Sequence, residues 1–368
     1  MPAPVFLTGA TGFLGMEVLA RLLEAGDREV VALIRADDDA AAAQRLDGVL
    51  STLWRDPAPQ RERVRAVAGD LTRPGLGLGQ AERTALAEEV GAVLHCAASI
   101  AFDLPLEEAR AINVEGTREV IGFAREAKAL GRLDRFLHVS TAYVSGTYAG
   151  TFRERQLIAG QAFRNTYEQT KAEAEQIVTA ADDLRPAIAR PSIVMGESDS
   201  GWTPAFNVLY WPLRAFSRGL FDTVPALPEG RVDVVPVDYV ADSIVHLLDR
   251  PDVGVFNLVA GRDAPTVSEL IDLGAERFGI PRPKLVEPGE PTALADGEVY
   301  VPYFDMRVVF DDARARAVLG PAGIQAPRLA DYFGALIDYA EAARWGKRRP
   351  TREEAREQAA AAAASAAA

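Results

Sequence analysis

The sequence predicts an α/β protein: a Rossmann-type doubly wound parallel sheet with a smaller C-terminal substrate-binding lobe. Three observations lead there. Short apolar runs alternate with amphipathic stretches through the first half, the pattern of parallel βαβ units. A glycine-rich turn, Thr8-Gly9-Ala10-Thr11-Gly12-Phe13-Leu14-Gly15, stands where the first apolar run gives way to the first amphipathic stretch. After Pro191 the alternation loosens into aromatic clusters and proline breaks.

Taken in order, strands are expected over residues 4–7, 30–34, 64–68, 92–95, 136–140 and 187–190. The first helix places Leu14, Val18 and Leu22 on one face and stops at Gly26, a residue suited to the C′ position. Apolar and aromatic side chains gather over 206–216, with Tyr210, Trp211 and Pro212 inside. Pro225, Pro228 and Pro236 then divide the chain into short elements. The expected plan is a cofactor domain over 1–190, a substrate-binding lobe over 191–345 interleaved with late elements of the sheet, and an Ala-rich tail over 346–368. Residues 351–368 pass from charged to almost pure alanine. High helix propensity without an apolar stripe predicts a frayed helix or a disordered tail there.

Composition narrows the class. The chain has 368 residues, 48% hydrophobic and 25% charged, which suits a packed globular protein. Its net charge of −13 argues against a nucleic-acid partner, whose affinity rests on phosphate neutralisation. Cys96 is the only cysteine, so neither an intrachain disulfide nor a thiolate metal cluster is expected. His95, His138 and His246 are scattered without metal-ligand spacing. The first strand begins within a few residues of the N-terminus, leaving no room for a signal peptide, and no run of about 18 apolar residues could span a bilayer. A soluble, cytoplasmic protein is expected.

The glycine turn carries the first chemical reading. It lets backbone N–H groups approach a pyrophosphate, with the helix N-terminus adding partial positive charge. Its spacing, Gly9, Gly12 and Gly15, is GxxGxxG rather than GxGxxG. Arg35 ends the second strand, where an acidic residue would bind the adenosine ribose hydroxyls. A guanidinium there suits a 2′-phosphate and favours NADPH, with Asp37 the rival that could face the ribose. Tyr167 and Lys171 share one helix face by their i,i+4 spacing. A tyrosine ordinarily titrates near about 10, and a neighbouring lysine cation is expected to lower that value toward the range of an acid/base catalyst.

The glycine turn, Thr141, and Tyr167 with Lys171, in that order, resemble the extended branch of the short-chain dehydrogenase/reductase superfamily. Further stretches narrow the likeness: Leu33-Ile34-Arg35, Gly69-Asp70-Leu71-Thr72, and the run from His95 through Cys96-Ala97-Ala98 to Phe102-Asp103. To these are added His138 through Ser140-Thr141-Ala142-Tyr143-Val144, Asn165-Thr166-Tyr167, and Arg190-Pro191-Ser192-Ile193-Val194. Together they resemble fatty acyl-CoA reductases and the related thioester-reductase domains of carboxylic acid reductases and peptide synthetases, the male-sterility-type NAD(P)-binding family. The resemblance is good from residue 4 to about residue 260.

What the resemblance implies is specific. Thr141, Tyr167 and Lys171 form the catalytic set, with Ser140 the nearest rival to Thr141 and Tyr143 a packing residue. Asp70 is expected to bind the adenine amino group, with Leu71 packed on the ring. Ala97 and Ala98 let the backbone pass beside the cofactor, and Asn113 either supports the active-site geometry or packs its helix. Pro191, Ser192 and Ile193 flank the nicotinamide. With Gly9, Thr11, Gly12, Phe13, Leu14, Gly15 and Arg35, and with Tyr167 and Lys171 again, these residues make up the expected NADPH site, and no metal is implied. Cys96 is read as a small packing residue, since nothing nearby activates a thiolate. The implied reaction is NADPH-dependent reduction of an acyl-CoA or acyl-carrier-protein thioester to an aldehyde, and with a second hydride to an alcohol. Ketone or aldehyde reductases and nucleotide-sugar epimerases or dehydratases of the same superfamily share the Thr-Tyr-Lys set. Superfamily members often dimerise, so the resemblance also implies a homodimer. The aromatic stretch 202–216 reads either as core or as the lining of an acyl tunnel. Arg214 and Arg218 read either as a solvated helix face or as contacts to a phosphopantetheine or CoA phosphate.

Overall fold

The computed structural model describes residues 3–206, 209–220, 222–287, 303 and 306–367. Residues 207 and 208 of the aromatic stretch, and 288–302 of the expected lobe, lie outside the described residues.

The first half runs β1 (Val5–Thr8), α1 (Phe13–Glu24), β2 (Val30–Arg35), α2 (Asp39–Leu53), α3 (Ala58–Arg61) and β3 (Val64–Gly69). It continues with α4 (Gln80–Glu89), β4 (Ala92–His95), α5 (Leu106–Arg110), α6 (Gly116–Ala129) and β5 (Arg135–Val139). Then come β6 (Gly150–Phe152), α7 (Thr166–Ala180), β7 (Ala187–Pro191), β8 (Ile193–Met195), α8 (Tyr210–Phe216) and β9 (Thr223–Pro225). The remainder is β10 (Val234–Pro236), α9 (Val237–Leu248), β11 (Gly254–Leu258), α10 (Val267–Phe278), β12 (Lys284–Val286), β13 (Val308–Phe310), α11 (Ala313–Leu319), α12 (Leu329–Ala342) and α13 (Arg352–Ala367).

Seven strands form one parallel sheet in the order β11-β7-β5-β4-β1-β2-β3. Parallel strands covered on both faces read as continuous apolar runs, and VFLT in β1 is buried at all four positions. Side chains still alternate between faces. Val5 and Leu7 enter a core with α1, α2 and α9, whereas Phe6 faces Val120, Phe123 and Leu86 of α6 and α4. The sixth expected strand is β7, and a seventh, β11, joins it through the register Ala187 to Gly254.

The strand order reverses between β1 and β4, whose register pairs Thr8 with His95. In doubly wound sheets ligands bind in the crevice beyond the strand C-termini at such a switch point. The glycine turn follows β1 and the Cys96-Ala97-Ala98 segment follows β4, so both fall at this crevice.

One expectation needs correction. Residues 351–367 do not form a loose tail: α13 docks through Arg352, which is 1% exposed and pairs with Glu17, Glu24 and Glu197. The anchor is ionic, which is why a search for an apolar stripe misses it. The aromatic stretch is core rather than a tunnel: Trp202, Tyr210 and Phe216 are buried, and none of them lines the crevice. Trp202 donates its indole N–H to the Pro350 carbonyl at 3.3 Å, and Tyr210 accepts from the Gly196 N–H at 3.1 Å.

Candidate active site

The crevice is a cavity of about 590 Å³ running from the glycine turn, across the C-terminal ends of β1, β4 and β5, to the N-terminal part of α7. Its glycines are there for closeness. Gly9 has φ +85°, and a Cβ on it would lie 2.6 Å from the Ala97 nitrogen. A Cβ on Gly15 would lie 2.0 Å from the Gly9 carbonyl oxygen. The turn therefore folds against α1 on one side and the β4 turn on the other, and only glycine fits at either place. Gly12 caps α1 in an extended conformation with no side chain over the helix end, leaving that end open to an anion. These features fit a dinucleotide pyrophosphate.

Of the expected cofactor residues, Gly9, Thr11, Gly12, Phe13, Leu14, Gly15, Arg35, Asp70, Leu71, Ala97, Ala98, Tyr167, Lys171, Pro191 and Ile193 all line this one cavity. Asn113 does not. It stands behind the wall, accepting from the Ser99 N–H at 2.8 Å and donating to the Ser99 carbonyl at 3.1 Å and to Thr170 Oγ1 at 3.0 Å. Asp37 is exposed and outside the lining.

At the adenosine end, Arg35 and Arg45 are both exposed and both line the cavity, and Arg45 donates to the Arg35 carbonyl. Sequence reasoning missed Arg45, because it lies ten residues on, inside α2, with no motif around it. Asp70 is held by Thr72, whose N–H and hydroxyl reach Oδ1 at 2.9 and 2.8 Å. Burial raises the pKa of its carboxyl, but these bonds together with Arg73 and Arg35 outweigh that and leave it lowered.

At the other end Thr141, Tyr167 and Lys171 converge. Thr141 caps the short turn after β5, accepting from the Tyr143 N–H at 3.3 Å, and its hydroxyl makes a long 3.4 Å bond to the Pro191 carbonyl. Ser140 is committed elsewhere: its hydroxyl donates to Glu175 at 2.6 Å, inside a buried ion pair between Glu175 and Arg190. The neighbouring hydroxyls are thus distinguished by their partners. Lys171 is 2% exposed and donates to the Val139 carbonyl at 2.8 Å.

Burial moves these groups in opposite senses. It brings Lys171 down to about 8, with Glu175 opposing the shift. It pushes Tyr167 up to about 12, against the pull of the Thr141 hydroxyl. The expected lowering of Tyr167 by Lys171 is therefore not seen: loss of hydration dominates, and the phenol keeps its proton at neutral pH. Cys96, which also lines the cavity, is pushed by burial up to about 12, so its thiol stays protonated.

Aromatic rings close the catalytic end. Phe102 lies 5.8 Å from Tyr167 and stacks at 5.6 Å on Tyr303, which meets Tyr143 edge-on at 5.3 Å. The Tyr303 hydroxyl accepts from Asn165, the N-cap of α7, at 2.8 Å and donates to Glu168 at 3.0 Å. Tyr303 was not foreseen, since it stands more than a hundred residues from the helix whose first turn it bonds. Arg218 is exposed and Arg214 half-buried, and neither lines the cavity.

A family model described as male sterility protein, with an NAD-binding designation, matches residues 7–244. The chain belongs to this family. It is 31% identical over 303 residues to fatty acyl-CoA reductase 1 of Mus musculus, covering 71% of this chain and 58% of that protein. It is 34% identical over 260 residues to the L-2-aminoadipate reductase large subunit of Eremothecium gossypii, covering 65% of this chain and 18% of that one. The chain thus spans little more than half the length of the fatty acyl-CoA reductase. Among solved structures, the terminal R domain of the myxalamid PKS-NRPS pathway superposes with a TM-score of 0.80 at 26% identity, over 93% of this chain and 91% of that one. A UDP-glucuronic acid 4-epimerase from Bacillus cereus shares the fold, at a TM-score of 0.67 and 17% identity, over 92% of this chain and 97% of that one.

Proposed function

We propose that the chain is an NADPH-dependent oxidoreductase that reduces acyl thioesters, carried on CoA or a carrier protein, to the aldehyde; a second hydride would carry that product on to the alcohol. The observation that carries the reading is the convergence of Thr141, Tyr167 and Lys171 at one end of a cavity whose other end is the glycine turn. The likeness to fatty acyl-CoA reductases supports a thioester as the substrate. Arg35 and Arg45 support NADPH over NADH, because two guanidinium groups at the adenosine end suit a 2′-phosphate. By its likeness to the superfamily, the same proposal takes the protein as a homodimer. Among the described residues, no helix is long and apolar enough to cross a membrane.

When bound, the nicotinamide supplies a hydride to the thioester carbonyl carbon. Tyr167, protonated at neutral pH, gives its proton to the carbonyl oxygen. Thr141 exchanges its long bond to Pro191 for one to the same oxygen, stabilising the charge that develops there. Lys171 holds the nicotinamide ribose and keeps a positive charge beside the phenol. The resulting hemithioacetal breaks its C–S bond to give aldehyde and thiol.

The test is NADPH oxidation with acyl-CoAs, aldehydes and nucleotide sugars, comparing the protein with Tyr167→Phe. Acyl-CoA-dependent oxidation that the variant lacks supports the reading. Turnover of aldehydes alone, or conversion of sugars with cofactor retained, replaces it. Cofactor choice has its own test. Arg35→Ala and Arg45→Ala should each raise the KM for NADPH about 10- to 100-fold and leave that for NADH nearly unchanged, the range expected for losing one charge-assisted bond.

A further inference from the structure

We infer that His95, a residue outside the cavity lining, is a positioning residue that sets the cofactor turn after β4 and couples it to the catalytic helix α7. The inference rests on the cofactor cavity and not on the identity of the acyl substrate.

His95 is 1% exposed and lies between two threonines. Its Nδ1 is 2.7 Å from Thr8 Oγ1 and its Nε2 is 3.0 Å from Thr117 Oγ1. The proton positions follow from the next bonds along. Thr117 places its own hydroxyl proton on the Asn113 carbonyl at 2.6 Å, so its oxygen accepts from Nε2–H. Nδ1 is then an acceptor, and Thr8 donates to it. The Thr8 oxygen in turn accepts from the Ala97 N–H at 3.2 Å. One direction of donation runs unbroken from the cavity wall at Ala97 through Thr8, His95 and Thr117 to Asn113.

Asn113 extends the path. Its amide clasps both backbone groups of Ser99 and donates to Thr170 of α7, whose hydroxyl donates to the Thr166 carbonyl at 2.8 Å. The segment 96–99 is therefore pinned at Ala97 by the Thr8 end and at Ser99 by the Asn113 end. A five-residue stretch of π-helix, Ala111–Glu115, stands where α5 passes into α6 and carries Asn113. Such bulges re-aim side chains and recur at functional sites. Spacing at the turn is tight, since Gly9 already lies as close to Ala97 as a missing Cβ allows. A shift of Ala97 by a fraction of an ångström either presses on the glycine turn or opens a gap beside the cofactor. The chain of bonds also does not titrate in the working range, because burial and the Lys171 cation bring His95 down to about 3. Its imidazole stays neutral, with the proton on Nε2.

The test measures NADPH affinity directly, by fluorescence titration without substrate, alongside steady-state kinetics and thermal unfolding of each variant. His95→Phe keeps the ring volume and removes both bonds; Thr8→Val removes the donor to His95 and the acceptor for Ala97. Each should weaken NADPH binding about tenfold and raise its KM to match, with kcat changed less than threefold. The double variant should be no worse than either single one, since both break the same path. His95→Asn, which can still accept from Thr8, should regain most of the affinity, and the ratio of wild-type to His95→Phe affinity should be flat from pH 6 to 9, since His95 does not titrate there. Affinity within twofold of wild type in folded variants, or losses that simply add, would overturn the inference. Should His95→Phe fail to fold, Thr8→Val and His95→Asn decide the matter by the same criteria. Failure here leaves the substrate proposal standing, and the reverse also holds.

Discussion

Tyr167 and Lys171 divide one physical effect between them. Removing both from water raises the phenol and lowers the ammonium, and at neutral pH that leaves a proton on each. A reduction needs this arrangement, with a protonated acid beside a cation. Because Lys171 loses its proton near about 8, kcat/KM should fall as pH rises through that value, while Tyr167 remains protonated across the same window. A pH–rate profile of the free enzyme reads this directly, and Lys171→Met should abolish the descending limb along with most of the activity. Tyr167→Phe should lower kcat about 100- to 10,000-fold, the range for losing a general acid, with NADPH affinity within threefold of wild type. Stopped-flow single turnovers separate the two quantities. At the turn, Gly9→Ala has no room beside Ala97, so it should remove measurable NADPH binding while the sheet still forms.

At the scale of elements, α13 is the clearest case of order created by charge. Arg352 is buried against Glu17 of α1 at 2.9 Å and Glu197 at 2.8 Å, and reaches Glu24 at 2.6 Å. Arg356 pairs with Glu197 at 2.6 Å, and Arg55 of the segment after α2 pairs with Glu354 at 3.3 Å. Burial pushes Glu17 well above the usual carboxylate range, the neighbouring Glu197 adds to this, and Arg21 and Arg356 oppose it. Taking one partner from a buried ion pair strands the other charge. Arg352→Ala should therefore cost about 3–5 kcal/mol in urea unfolding, whereas substitutions of the exposed alanines over 360–364 should cost almost nothing. Composition revealed the helix propensity of this segment, but a charged stretch with no apolar stripe gives no sign of the acidic hole that receives it. The helix α7 was easier to read, because Tyr167 and Lys171 are local in sequence.

At the scale of the molecule, legibility followed sequence distance. The glycine turn and the Tyr167–Lys171 face each depend on residues within about two helical turns of one another. Arg45, Tyr303 and the path through His95 depend on what the fold brings together from afar. For the aromatic stretch around Trp202 and Tyr210 composition left core and lining open, and packing decides for core. The expected tyrosine shift failed for a related reason. Local spacing reveals a lysine, but only the fold reveals how completely both groups are removed from water.

The central claim is that this cavity reduces a thioester, and the most direct measurement is the free thiol released per NADPH consumed with an acyl-CoA substrate. The account predicts one thiol for each NADPH if reduction stops at the aldehyde and one for every two if it reaches the alcohol, with neither product formed by Tyr167→Phe. NADPH oxidation without thiol release, or thiol release that persists in that variant, would contradict it.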